Sequence, residues 1–151
     1  MLLIEDLHEI KEYKLPTLYT AVSISDRYLA QALSQGQAMP CIVTLSVTCL
    51  LIAAKIEEAI SPSVNIMLRL LLEKHNILLS KRDVTDLEEH IIRVLDFQLR
   101  NVSPIDFLER FLRLFGLDTA NSYRAKQVAI LSNDYCKFMQ RTACFLAFRP
   151  S

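Results

Sequence analysis

The chain has 151 residues, enough for one ordinary domain or one domain with part of a second. Of these, 52% are hydrophobic, so a packed core can form and disorder over most of the chain is excluded. Lys plus Arg equals Asp plus Glu at 17 each, which supplies no basic face for strong non-specific nucleic-acid binding, and only two glycines occur, which removes glycine-rich phosphate loops and most tight β-hairpins.

The apolar pattern predicts an all-α chain in which Pro16, Pro40, Pro62, Pro104 and Pro150 fall where helices begin or break. The first helix is expected over residues 2–14, with Leu3, Leu7 and Ile10 at helical spacing. The second starts at Pro16 and Thr17, carries the stripe Leu18, Ala21, Val22, Ser25, Tyr28 and Leu29, and fades at Gln35 and Gly36. Pro40 opens the third, which is apolar on every face and ends near Glu58; it is expected to be the most buried helix. Ser61, Pro62 and Ser63 start a shorter, leucine-rich fourth helix. Ser80, with Asp83 three residues on, reads as the N-cap of the fifth, whose core positions are Val84, Leu87, Ile91, Val94 and Leu95. The linker is Asn101 to Pro104, after which helices are expected near residues 105–115 and 121–139, with a short apolar pattern at 143–148. Five helices thus form one compact unit. The remainder has too few to enclose a core of its own, so it must lean on the first unit or expose apolar surface, Phe107, Phe111, Leu114 and Phe138 included.

Catalytic and metal chemistry find no foothold. Cys41, Cys49, Cys136 and Cys144 form no CxxC pair and read as small buried hydrophobes in a reducing compartment. His8, His75 and His90 lack metal-ligand or catalytic spacing, and His90 reads as a partly buried structural histidine. The start of the chain has no basic n-region of a signal peptide, and the apolar run 41–54 is shorter than the roughly 20 residues of a membrane span.

One place violates local physics. A helix C-terminus favours cations and disfavours anions, so Lys55 suits the end of the third helix whereas Glu57 and Glu58 do not. Such violations concentrate at functional sites; the plainer reading is a solvated surface with weak salt bridges.

Thr17 to Val22 followed by Asp26-Arg27-Tyr28-Leu29 resembles the second helix of a cyclin box. Cys49 to Glu58 resembles its central helix, including the Lys-x-Glu-Glu ending, and Leu87 to Leu99 resembles its fifth. Ser103 to Leu108 resembles the entry to a second cyclin fold. The resemblance implies a five-helix cyclin box over residues 1–100 around a buried central helix, then the first helices of a second cyclin fold over 101–151. It implies a regulatory subunit of a cyclin-dependent protein kinase, acting on the cell cycle in the nucleus or cytoplasm, with no catalysis and no cofactor of its own.

By that resemblance Lys55 and Glu88 hold the kinase, and Ile52, Ile56, Ile92 and Leu99 receive an apolar side chain from its regulatory helix. Glu57 and Glu58 complete the candidate kinase-binding set. A lysine at one helix end and a glutamate near another helix start can grip opposite groups of a partner segment over an aliphatic floor. Both charged residues are expected to be mostly exposed, whereas from the residues alone Ile52 and Leu99 read first as core. The chain departs from the family pattern in lacking the opening Met-Arg-Ala-Ile-Leu motif, in carrying Ile56 where many members have an aromatic, and in a longer segment between Lys55 and Glu88. Two alternatives stand beside this reading. One is a transcription-type factor resembling transcription factor IIB, against which the neutral charge counts; the other is a pseudo-cyclin that keeps the fold without activating a kinase.

Overall fold

A computed structural model describes residues 2–60, 62–115 and 134. Among them the only regular elements are helices: α1 (Leu2–Ile10), α2 (Leu15–Ser34), α3 (Ile42–Glu57), α4 (Val64–His75), α5 (Lys81–Val94) and α6 (Pro104–Leu114). The chain divides into two compact units, Met1–Asn101 and Val102–Ser151.

The first unit is organised around α3. Every residue from Thr44 to Ala54 is buried, as its uninterrupted apolar run predicts. The polar residues inside that run are satisfied by the helix itself: Ser46 Oγ donates to the Ile42 carbonyl at 2.8 Å and Thr48 Oγ1 to the Thr44 carbonyl at 2.7 Å. α2 makes the most extensive contact with α3, and α5 comes next. Tyr19, Ile24 and Tyr28 from α2, Leu50, Leu51 and Ile52 from α3, and Ile91 from α5 are fully buried. Each such aliphatic side chain contributes about 1.5–3 kcal/mol by leaving water.

Helix ends follow their caps more closely than their periodicity. α1 stops at Ile10 rather than Lys14, because Glu12 turns left-handed at φ 52° and the Tyr13 N–H reaches back to the His8 carbonyl at 3.2 Å. α4 closes through left-handed Asn76, and it buries only Met67 and Leu71 of its apolar residues, leaving Leu72 exposed. Ser80 does cap α5, but its hydroxyl accepts from the Arg82 N–H at 3.2 Å rather than pairing with Asp83. α3 carries one correction among the cysteines: Cys49 is buried, whereas Cys41 is exposed at the helix start. There the Thr44 and Val43 backbone groups lower the thiol pKa. Cys136 and Cys144 lie outside the described residues.

In the second unit, Ser103 and Asp106 start α6. The Asp106 carboxylate accepts from the Ser103 N–H at 2.7 Å and from its hydroxyl at 2.9 Å. Ile105 is buried, while Phe107, Phe111 and Leu114, three of the apolar residues expected at the surface, are exposed, as is Phe115. Phe138 and the helices expected near 121–139 and 143–148 lie outside the described residues.

Candidate functional site

The end of α3 places three charged side chains on different sides of one helix, since successive residues are about 100° apart. Glu58 is the C-cap residue of α3, yet its carboxylate serves α2. It accepts from the Lys14 N–H at 2.8 Å and from the Thr17 hydroxyl at 2.5 Å. Lys14 is the N-cap of α2 and makes no side-chain capping bond, and the first turn of α2 holds no acidic residue of its own. Glu58 therefore supplies from across the fold the anion that the positive end of α2 favours. The same charge, with burial as the larger cause, raises the pKa of the neighbouring Tyr13 hydroxyl. His8, itself buried, shares a 3.0 Å hydrogen bond with the Lys14 carbonyl, so both backbone groups of that residue are fixed.

Glu57 also points into the fold. Its carboxylate accepts from the Thr20 hydroxyl at 3.2 Å and lies 3.6 Å from the Arg100 guanidinium. The charge violation at the end of α3 thus has an internal cause, an anion demanded by the start of α2, and the expectation of a loosely solvated surface does not hold for these two residues.

Lys55 turns the other way. Its Nζ meets Glu88 Oε1 on α5 at 2.5 Å, joining the last turn of α3 to the middle of α5. The Lys55 side chain is 37% exposed, less than the mostly exposed ammonium expected, because it is already engaged by Glu88. Glu88 is only 15% exposed, so the expectation of a mostly exposed carboxylate is corrected: the bridge to Lys55 shields it. Of the four aliphatic candidates, Ile56, Ile92 and Leu99 are half-buried and keep some accessible surface. Ile52 is buried in the core beneath them, where the residues alone had placed it first. Leu99, given the same first reading, is half open.

A shallow groove of about 370 Å³ runs along this part of α5, lined by Thr85, Glu88, Glu89, Ile92, Arg93 and Phe97. Glu89 and Arg93 form an i,i+4 ion pair at its rim. Phe97, 75% exposed, was not among the sequence candidates. Its signal was present: an aromatic that falls outside the helical period of Val84, Ile91 and Leu95, immediately after the helix. Asp96 and Phe97 both take left-handed backbone conformations, at φ 50° and 59°. Asp tolerates that region, but a bulky Phe does not, and such residues store on the order of 1–3 kcal/mol.

Behind the groove, α2 supports α5. Tyr28 is buried edge-on against the His90 ring at 5.8 Å between centroids, and His90 shares a 3.2 Å hydrogen bond with Gln37 Oε1. His90 is exposed rather than partly buried, although its ring meets Tyr28 and Gln37. No cluster of His, Cys, Asp and Glu among the described residues could hold a metal ion, and none of their helices is long and apolar enough to cross a membrane.

The family described as "Cyclin, N-terminal domain" matches residues 1–100. The chain is 36% identical to Cyclin-D1-2 of Oryza sativa subsp. japonica over 97 residues, covering 63% of the chain and 26% of that protein. It is 31% identical to G2/mitotic-specific cyclin-1 of Saccharomyces cerevisiae over 128 residues, covering 82% and 25%. To Cyclin-D1-1 of Arabidopsis thaliana it is 30% identical over 141 residues, covering 89% and 38%. The chain thus spans about a quarter to two fifths of the length of these relatives. No solved structure matches it.

Proposed function

The chain belongs to the cyclin family, and on that premise we propose that it is a non-catalytic regulatory subunit that binds and activates a cyclin-dependent protein kinase. Its place of action on this reading is the nucleus or cytoplasm, and its consequence is control of the cell cycle. The observation that carries the proposal is the Lys55–Glu88 pair, which brings a cation and an anion from two helices together beside the groove of Ile92 and Phe97. Within the pair, the ammonium can donate to a partner's carbonyls and the carboxylate can accept from its N–H groups. The accessible parts of Ile56, Ile92, Phe97 and Leu99 offer the apolar contact that a buried interface needs. Glu57 and Glu58 support this site from behind by fixing the end of α3 against α2.

The test is calorimetric titration of cyclin-dependent kinases with wild-type chain, Lys55→Ala, Glu88→Ala and the double variant, alongside a kinase activity assay. Each single substitution is expected to weaken binding by roughly 2–5 kcal/mol, since it strands one buried partner of a charged hydrogen bond. The double should lose less than the sum of the singles, because the two groups hold one shared segment. Unchanged affinity in folded variants would leave the pair as fold inheritance and put the pseudo-cyclin reading in its place.

A further inference from the structure

The turn that follows α5 presents Phe97 to solvent in a conformation that Phe disfavours, so the groups that hold the turn decide where the ring stands. Inside the turn the backbone is closed on itself. The Phe97 N–H donates to the Ile92 carbonyl at 3.0 Å, the Gln98 N–H to the Leu95 carbonyl at 2.9 Å, and the Leu99 N–H to the Phe97 carbonyl at 3.0 Å. The Gln98 carbonyl accepts from the Arg27 guanidinium of α2, 71 positions earlier in the chain, which adds a bond from outside the turn. Arg27 is half-buried and follows directly on Asp26, one residue before the fully buried Tyr28. The arginine therefore acts from a fixed base, and α2 itself is fixed at its far end by Glu58.

We infer that Arg27 is a positioning residue for the binding face: its guanidinium clamps the Asp96–Phe97 turn and so holds Phe97 out beside Glu88 and Ile92. A strained turn without such a clamp relaxes toward ordinary backbone angles, and the aromatic ring then leaves the groove wall. The inference rests on the kinase-binding reading for its consequence, but the clamp itself is a property of the free chain. Arg suits the task better than Lys because its planar fork reaches a carbonyl from a defined direction with little loss of freedom.

The experiment uses the full chain as Arg27→Ala, Arg27→Lys, Phe97→Ala, Arg27→Ala/Phe97→Ala and Arg27→Ala/Phe97→Gly. Hydrogen exchange of the Phe97, Gln98 and Leu99 amides is followed in the free chain, with thermal unfolding as the check on the fold and kinase titration as the readout of binding. Arg27→Ala is expected to speed exchange at these three amides about tenfold or more, leave the core amides of α3 unchanged, and weaken kinase binding about tenfold. Lysine should restore part of both losses. Glycine at position 97, where the strain lies, accepts the left-handed backbone freely and should restore protection in the absence of Arg27. In the Phe97→Ala background, Arg27→Ala should cost no further affinity, because the ring it positions is gone. Unchanged exchange at the turn, or an equal loss of affinity with and without Phe97, would overturn the inference while leaving the kinase reading intact. Wild-type affinity in both Lys55→Ala and Phe97→Ala would overturn the kinase reading, and with it any binding role for Arg27, even where exchange shows the clamp in place.

Discussion

Within four residues at the end of α3 the chain offers Lys55, Glu57 and Glu58, and the structure divides them. Both glutamates are turned into the fold, one onto the start of α2 and the other onto Thr20 and Arg100. Lys55 is turned outward onto Glu88 at the rim of the α5 groove. The sequence presents all three as one charged motif, but a helix sends neighbours about 100° apart, so adjacent charges meet different surroundings. The comparison teaches that a charge in the wrong place for its own helix can be in the right place for the next one. Glu58 opposes the dipole of α3 and complements that of α2, and two hydrogen bonds decide which effect wins.

The largest expected effect tests the inward half of this division. Glu58→Ala removes a charged acceptor from Lys14 N–H and the Thr17 hydroxyl and leaves α2 without an anion at its start. Charge-assisted bonds of this kind contribute about 1.5–3 kcal/mol each, and water can reach Lys14 in the variant, so the expected loss is about 3 kcal/mol. Urea unfolding measures it. Glu57→Ala should lose less, about 1 kcal/mol, because its contacts at 3.2 and 3.6 Å are longer and Arg100 is exposed. If either variant kept full stability and lost kinase affinity instead, the division would be inverted, and the glutamates would belong to the binding face.

Much of this fold was legible because its signals are local. The run from Thr44 to Ala54 announces a buried helix, and Pro16, Pro40, Pro62, Ser80 and Pro104 stand at or just before helix starts. The site was legible only in part. Lys55 and Glu88 could be paired by resemblance, but their direct bridge, and the shielding of Glu88 that comes with it, depend on how α3 packs on α5. Glu58 looked anomalous because its partner Lys14 lies 44 positions away, a separation no local rule spans. Phe97 escaped notice because a left-handed turn, rather than helical period, brings it to the groove, and Cys41 escaped because an apolar neighbourhood in sequence does not bury a residue at a helix start.

The division between enclosed and open groups recurs along α3 in its two thiols, and pH separates them. Burial pushes the Cys49 thiol up to about 12 from 9.0, with a lowering contribution from a Ser25 hydrogen bond. The folded pKa is raised, so the associated stability is fully present below pH 9 and is lost progressively as pH rises from there to about 12. At pH 10 the loss is about 1.4 kcal/mol, one pKa unit's worth. Unfolding of wild type and Cys49→Ala compared at pH 8 and pH 10 measures it, because a difference in pH dependence cancels the cavity the substitution creates. Tyr13, raised by burial and by Glu58, adds to the alkaline loss in both proteins and drops out of the comparison, whereas Tyr28, raised by burial and by the Cys49 thiol, titrates together with the thiol and is read as part of the same effect. Cys41 should react with a thiol reagent in the folded chain at pH 8, and Cys49 should not. Equal reactivity would mean that α3 opens readily and is not the fixed centre of the unit.

The smallest expected effect concerns the outward half, where a weak contribution to stability is what the division requires. The Lys55–Glu88 bridge is short, but Lys55 is more than a third exposed, so water and salt screen the pair and a long side chain loses freedom in making it. A double-mutant cycle in urea unfolding should give a coupling below about 1 kcal/mol, falling further in 0.5 M salt. The same four proteins should show a far larger coupling in kinase titration, because the partner excludes water from both groups at once. Stability coupling above about 2 kcal/mol would place the bridge with Glu58 among the bonds that hold the fold. Any loss of affinity in the single variants would then follow from a disturbed α3–α5 contact rather than from a missing contact to the kinase.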